Sequence, residues 1–193
     1  MFTALLDTCV LWPSLQRDFL LSLATEGLYR PVWSAAILAE LEEHETRKLI
    51  KRGEQAPQAR SRARLLIDRM SSAFDDAEAQ GWEGLEGTYG LPDPDDEHIV
   101  AAAMVTGAGA IVTHNTKDFP PAKLPSGLAT ILPARFAANT VALYPLGALT
   151  AIDTIVERSG ARGPKRTQDE IFTVLAERYR MTDAVEIMRE ARK

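Results

Sequence analysis

Four short acidic stations stand out in the 193-residue chain. They are Asp7 in Leu5-Leu6-Asp7-Thr8-Cys9-Val10, Glu40 in Ile37-Leu38-Ala39-Glu40-Leu41, Asp96 in Asp93-Pro94-Asp95-Asp96-Glu97-His98, and Asp118 in Thr113-His114-Asn115-Thr116-Lys117-Asp118-Phe119. Each falls beside an apolar run that reads as the edge of a strand or helix. Carboxylates far apart in sequence but gathered by one fold make a site for a hard divalent cation. A hard cation beside a phosphate does phosphodiester chemistry. Taken alone, each acid has a plainer role. Asp7 suits an Asx-turn, Asn115 and Asp118 suit an ordinary turn, and Asp93, Asp95, Asp96 and Glu97 suit a helix N-terminus. Glu40 competes with Glu42, Glu43 and Glu45 but sits beside Ile37 and Leu41, at the apolar boundary. Their joint occurrence favours the metal site.

The elements that must position these acids are legible from periodicity. Residues 2–6 read as a short buried strand ended by Asp7-Thr8. A helix over 14–24 follows Pro13, and 30–33 reads as a second extended segment. Ser34 then caps a helix with Ile37, Leu38, Leu41 and Leu49 on one side, punctuated by Gly53 and Pro57. The spacing of Ala63, Leu66, Ile67, Met70 and Phe74 predicts a helix over 58–80. A Gly-rich connection over 81–90 carries Trp82 and Tyr89. Asp93 and Pro94 open a helix that runs to Gly107. Strands are predicted at 110–113 and 128–132. Alternating strands and helices imply a parallel sheet covered on both faces. After about residue 140 the texture becomes helical, with amphipathic stretches at 147–159, 167–178 and 182–192. The first two are separated by Gly160-Ala161-Arg162-Gly163-Pro164. The division expected is 1–138 for the main domain and 139–193 for a helical extension.

Composition excludes several classes. Hydrophobic content of 46% and charged content of 25% are those of an ordinary globular protein. A single cysteine, Cys9, permits no internal disulfide and suits a reducing cytoplasm. The longest apolar run is too short to span a membrane, and no leader segment is expected. The net charge of −5 argues mildly against a nucleic-acid partner, but residues 47–69 hold eight cations and two acids, a local net of +6. A stripe containing Lys48, Lys51 and Arg52 can hold a phosphate backbone; a solvated helix face is its plainer reading. His44, His98 and His114 lack metal-ligand spacing and read as ordinary neutral histidines. Cys9 reads as a small buried residue. No phosphate-loop, dinucleotide or nucleophile-elbow motif is present.

At the four acidic stations the chain resembles the PIN-domain family, which includes the VapC-type toxin ribonucleases of bacterial VapBC toxin–antitoxin pairs. The matching segments are Leu6-Asp7-Thr8-Cys9-Val10-Leu11, Glu40 in its Ile-Leu-Ala-Glu-Leu helix, residues 93–103 from Asp93 to Ala103, and residues 111–120 from Ile111 to Pro120. The resemblance covers about residues 1–135. It implies a PIN-like three-layer α/β/α fold with a central parallel sheet and, here, a C-terminal helical extension. It further implies that Asp7, Glu40, Asp96 and Asp118 form a catalytic metal site for Mg²⁺ or Mn²⁺. Asn115 would be a polar member of that site, Thr8 a hydroxyl beside it, and Asp93 and Asp95 near enough to assist. The implied activity is metal-dependent cleavage of RNA. The implied partners are a small antitoxin protein and a second copy of the chain.

Two other classes compete. An aspartyl-phosphate phosphatase of the haloacid dehalogenase type would use Asp7 as nucleophile, but it needs a second Asp two residues on, where Cys9 stands. A non-catalytic RNA- or protein-binding module would keep the acids as structure, and it has no need of all four.

Overall fold

The computed structural model describes residues 1–161 and 164–193. Arg162 and Gly163, in the expected linker, lie outside the described residues. Strand β1 (Thr3–Leu6) passes through Asp7 into α1 (Thr8–Leu11), and α2 (Ser14–Thr25) begins directly after Pro13. Next come β2 (Arg30–Val32), α3 (Ala35–Lys51) and α4 (Ala56–Ala73). They are followed by α5 (Glu97–Val105), β3 (Ala110–Val112) and β4 (Ala129–Ile131). The chain closes with α6 (Pro133–Leu143), α7 (Pro145–Arg158), α8 (Gln168–Tyr179) and α9 (Thr182–Ala191).

The strands form one central parallel sheet of four, in the order β2-β1-β3-β4, flanked by helices. This is the α/β class expected. Leu5 and Leu6 register with Ile111 and Val112, and all four side chains are fully buried. Continuous apolar runs of this kind suit strands buried on both faces. The chain leaves β1 toward one edge and returns to β3 on the other side of β1. The carboxyl ends of β1 and β3 therefore flank a topological switch point, where open α/β sheets bind ligands.

The chain divides into two compact units, one of residues 3–12 and 31–130, the other of residues 1–2, 13–30 and 131–193. In the first, α3 starts as its sequence dictates: the Ser34 hydroxyl accepts the Ile37 N–H at 3.2 Å. Helix α4 ends at Ala73, not near residue 80 as the periodicity predicts. Tertiary pairing overrides helix propensity there. The Trp33 N–H donates to the Ala77 carbonyl at 3.0 Å, and the Ala79 N–H donates to the Trp33 carbonyl at 2.7 Å. Phe74 packs edge-on against the fully buried Trp33 ring. Helix α5 is buried almost all round through Val100, Ala101, Ala102 and Ala103, small side chains that let it lie against β1 and β3. At its start, Glu97 is buried and does more than complement the helix dipole. Its two oxygens accept the Tyr89 and Leu91 backbone N–H groups at 2.9 Å each, fixing the Gly-rich connection to α5. Burial alone would raise this carboxyl, but these amides, with those of Gly90 and Gly87, hold it below its ordinary range.

In the second unit, α2 packs with α6, α7 and α8. Its core holds Phe19, Leu20, Leu23, Ile152, Phe172 and Met188. Tyr29 stacks edge-on against Phe136 with centroids 4.8 Å apart, and its hydroxyl donates to the Leu20 carbonyl at 3.0 Å. Helix α6 is absent from the sequence reading, and residue 139, the expected start of the extension, lies inside it. Its signals were Pro133 in the first turn and Phe136, Ala137, Thr140 and Val141, all buried, at helical spacing. The corner into α7 needs glycine at 147, because a Cβ there would clash with the Tyr144 ring. The stretches expected at 147–159, 167–178 and 182–192 correspond to α7, α8 and α9. Thr167 and Glu170 form a reciprocal capping box at the start of α8. Among the described residues no single helix is long and apolar enough to cross a membrane; α6 and α7 qualify only together, as a pair bent by 116°.

Two substitutions separate the clamp from the cap. Ser34→Ala is expected to cost about 1 kcal/mol, and Glu97→Ala about 2 kcal/mol because it strands two amides that a carboxylate now satisfies. Urea unfolding midpoints check both values.

Candidate active site at the switch point

The site begins where β1 and β3 end side by side. The Asp7 N–H donates to the Val112 carbonyl at 3.1 Å, continuing the pairing of the two strands. This fixes the Asp7 backbone, and its buried side chain is then oriented by two donors. The Thr113 hydroxyl reaches Asp7 Oδ2 at 2.6 Å, and the Cys9 thiol reaches the same oxygen at 3.1 Å. Thr113 Oγ1 in turn accepts the Asn115 N–H at 2.9 Å, and Cys9 Sγ accepts the His114 N–H at 3.3 Å. The loop after β3 is thus tied to the end of β1. Burial, with the Asp7 charge beside it, pushes the Cys9 thiol up to about 12. Cys9 is therefore a protonated donor, not an acid/base at neutral pH, and the phosphatase alternative loses the group it required.

Asp96 stands at the start of α5, behind the short helical turn Pro94–Asp96 that Asp93 caps through the Asp95 N–H at 3.0 Å. Its carboxyl is raised to about 6 by burial first, then by the negative charges of Asp118, Asp7 and Asp93, with His98 partly offsetting them. Asp118 closes a turn in which its N–H donates to the Asn115 carbonyl at 3.0 Å, and the fully buried Phe119 anchors the chain immediately after it. Two of the other predicted acids, Asp118 and Asp7, and with them Asp93, therefore act on Asp96 through space.

Glu40 enters the site from α3 by a different route. The Thr8 hydroxyl donates to Glu40 Oε2 at 2.7 Å, and His98 Nε2 lies 3.6 Å from Glu40 Oε1. His98 is buried and packs against the Trp82 ring at 5.9 Å. The imidazole is the main influence holding the Glu40 carboxyl below its ordinary range. The Thr8 bond and the charge of His44 add to it against the cost of burial. His98 Nδ1 has no hydrogen-bond partner among the described residues.

The other sequence-predicted residues fall as follows. The Thr8 hydroxyl is spent on Glu40. Asn115 is exposed in the loop after β3. Lys48 pairs with the buried Glu45, whereas Lys51 and Arg52 are exposed at the end of α3. Within the stripe, Arg47, Arg62 and Arg64 are also paired with acids. Among the described residues no three His, Cys, Asp or Glu side chains converge as a ready-made metal group. Sequence reasoning missed Thr113, the donor roles of Cys9 and His98, and the support given by Trp82. For His98 the available signal was its place two residues after Asp96, on the first turn of a buried helix.

An open parallel α/β sheet with clustered carboxylates at its switch point defines the class. A family model described as PIN domain matches residues 3–117, and the chain belongs to that family. The match takes in Asp7, Glu40, Asp96 and Asn115 and ends one residue before Asp118. PIN domains are typically nucleases that use divalent metal ions. No curated protein and no solved structure matches the chain significantly.

Repulsion at Asp96 has a pH signature in metal-free protein. Its raised value means the native state keeps a proton that the unfolded chain has released, so this group's stability contribution is full at low pH and is lost as pH rises through about 6. Asp96→Asn is expected to raise the thermal midpoint in EDTA at about pH 7, and the gain should shrink at about pH 4. An equal gain at both values would show that the Asp96 carboxyl is not raised in the native state.

Proposed function

We propose that this chain is a metal-dependent endoribonuclease that hydrolyses RNA phosphodiester bonds, acting as the toxin of a toxin–antitoxin pair. The observation that carries the reading is the placement of Asp96 within electrostatic reach of Asp118, Asp7 and Asp93, whose charges add to burial in raising its carboxyl. Carboxylates that repel one another at a sheet's binding edge need a cation between them. Their donor chemistry fits: all the acids offer hard oxygen ligands, which suit Mg²⁺ or Mn²⁺. On this reading Asp7, Asp96, Asp118 and Glu40 hold the ion. When bound, the ion supplies a lower pKa for attacking water and charge stabilisation for the leaving oxygen.

The chain's own residues then have distinct tasks. Thr113 and Cys9 fix one oxygen of Asp7, Oδ2. Thr8 and His98 hold the two oxygens of Glu40, so this half-exposed side chain keeps one orientation. Asn115 is a polar contact for substrate, and Lys51 and Arg52 are cations for the RNA backbone. Lys48 is less suited, being engaged with Glu45. The implied partners are a small antitoxin protein and a second copy of the chain.

The test is cleavage of total cellular RNA with Mg²⁺ or Mn²⁺, beside EDTA and Asp96→Asn. Defined fragments are expected with metal, and loss of about a thousandfold or more in Asp96→Asn and Asp7→Asn, with native circular dichroism retained. Tight RNA binding with no metal-linked cleavage would favour the non-catalytic binding module.

A further inference from the structure

Helices α1 and α3 pack together, and two residue pairs span them one helical turn apart. The first is Thr8 with Glu40, described above. The second is Trp12 with His44, each four residues further along its own segment. The Trp12 N–H donates to the Thr8 carbonyl at 2.9 Å, which fixes the step from one level to the next. The Trp12 and His44 rings lie 6.1 Å apart, tilted by 57°. His44 is near enough for its charge to act on Glu40. A turn advances about 5.4 Å, close to the step from a phosphate to a neighbouring nucleotide.

Trp12 differs from the chain's other two tryptophans. Trp33 is fully buried and Trp82 nearly so, whereas Trp12 is 44% exposed. A partly exposed indole beside an imidazole that can carry charge is a surface on which a nucleobase can stack. The same helix then carries Lys51 and Arg52, both exposed, further from Glu40. Glu40, His44 with Trp12 beside it, Lys51 and, at the helix end, Arg52 follow one another along α3, the order needed to hold a scissile phosphate, its neighbouring base and the departing backbone.

We infer that Trp12 and His44 form a stacking shelf for the nucleobase next to the scissile phosphate. The inference rests on the nuclease reading. Trp12 is a binding residue and takes no part in bond breaking.

The experiment uses the Asp96→Asn full-length protein with Mn²⁺ and a short single-stranded oligoribonucleotide, read by tryptophan fluorescence and by anisotropy of a dye on the RNA. The oligonucleotide is expected to quench the emission of the one exposed tryptophan. Trp12→Ala should weaken binding about tenfold, while Trp12→Phe stays within about twofold. His44→Ala, on the exposed surface, should weaken it by a smaller factor if the fold is intact. An oligonucleotide with one abasic position should bind the wild-type surface more weakly but lose nothing further in Trp12→Ala. Equal binding by Trp12→Ala, or a full additional abasic loss in that variant, overturns the shelf. Cleavage by the wild-type chain, measured in parallel, tells the two failures apart. RNA cut normally with no Trp12 effect removes the shelf alone, whereas RNA neither bound nor cut removes both.

Discussion

Repulsion among carboxylates is the constraint on which the rest of this molecule depends. Asp118, Asp7 and Asp93 act on Asp96, and burial first, then these charges, raise its carboxyl to about 6. A chain gains nothing in stability by gathering like charges. The gathering persists because the surrounding structure over-determines it. The sheet register fixes the Asp7 backbone, Thr113 and Cys9 fix its side chain, and the buried Phe119 and α5 fix the segments bearing Asp118 and Asp96. Held like charges at the binding edge of an α/β sheet are the feature on which the proposed cation site rests.

The supporting interactions fall into two sets with different physics. The Asp7 set is short, buried and built from neutral donors, so it orients a carboxylate without neutralising it. The Glu40 set combines a hydroxyl with an imidazole, which steadies a more exposed carboxylate and favours its charged form. Glu97, one residue beyond Asp96, has the opposite task. It takes backbone amides from the Gly-rich connection and is consumed by structure. Adjacent acids on one turn thus differ in role: backbone donors satisfy Glu97, whereas Asp96 is left for the proposed site.

Much of this was legible in the sequence. Apolar runs bounded by Asp7 and by Thr113 gave strands buried on both faces, and Ser34 marked a helix start because its hydroxyl can accept an amide proton in the first turn. The end of α4 was not legible: residues 74–80 carry a helical pattern, yet their backbone pairs with Trp33, a contact distant in sequence. Helix α6 was overlooked although Pro133 and the spacing from Phe136 to Val141 announced it. At the site, the residue types of the four acids were enough to nominate them. The donors that orient them were not, because a threonine, a cysteine and a histidine look ordinary until the fold brings them against a carboxylate. The basic stripe misled in the other direction, since charge counting cannot see that Arg47, Lys48, Arg62 and Arg64 are paired with acids.

The central claim is that the clustered carboxylates form one cation site in which Asp96 is held partly protonated. Calorimetric titration of the apo protein with Mn²⁺ at about pH 6, in two buffers of different ionisation enthalpy, tests it directly. The account predicts binding with proton release, seen as buffer-dependent heat that disappears at about pH 8 and is absent in Asp96→Asn. Failure to bind Mn²⁺, or binding with the same heat in both buffers at the lower pH, would contradict it.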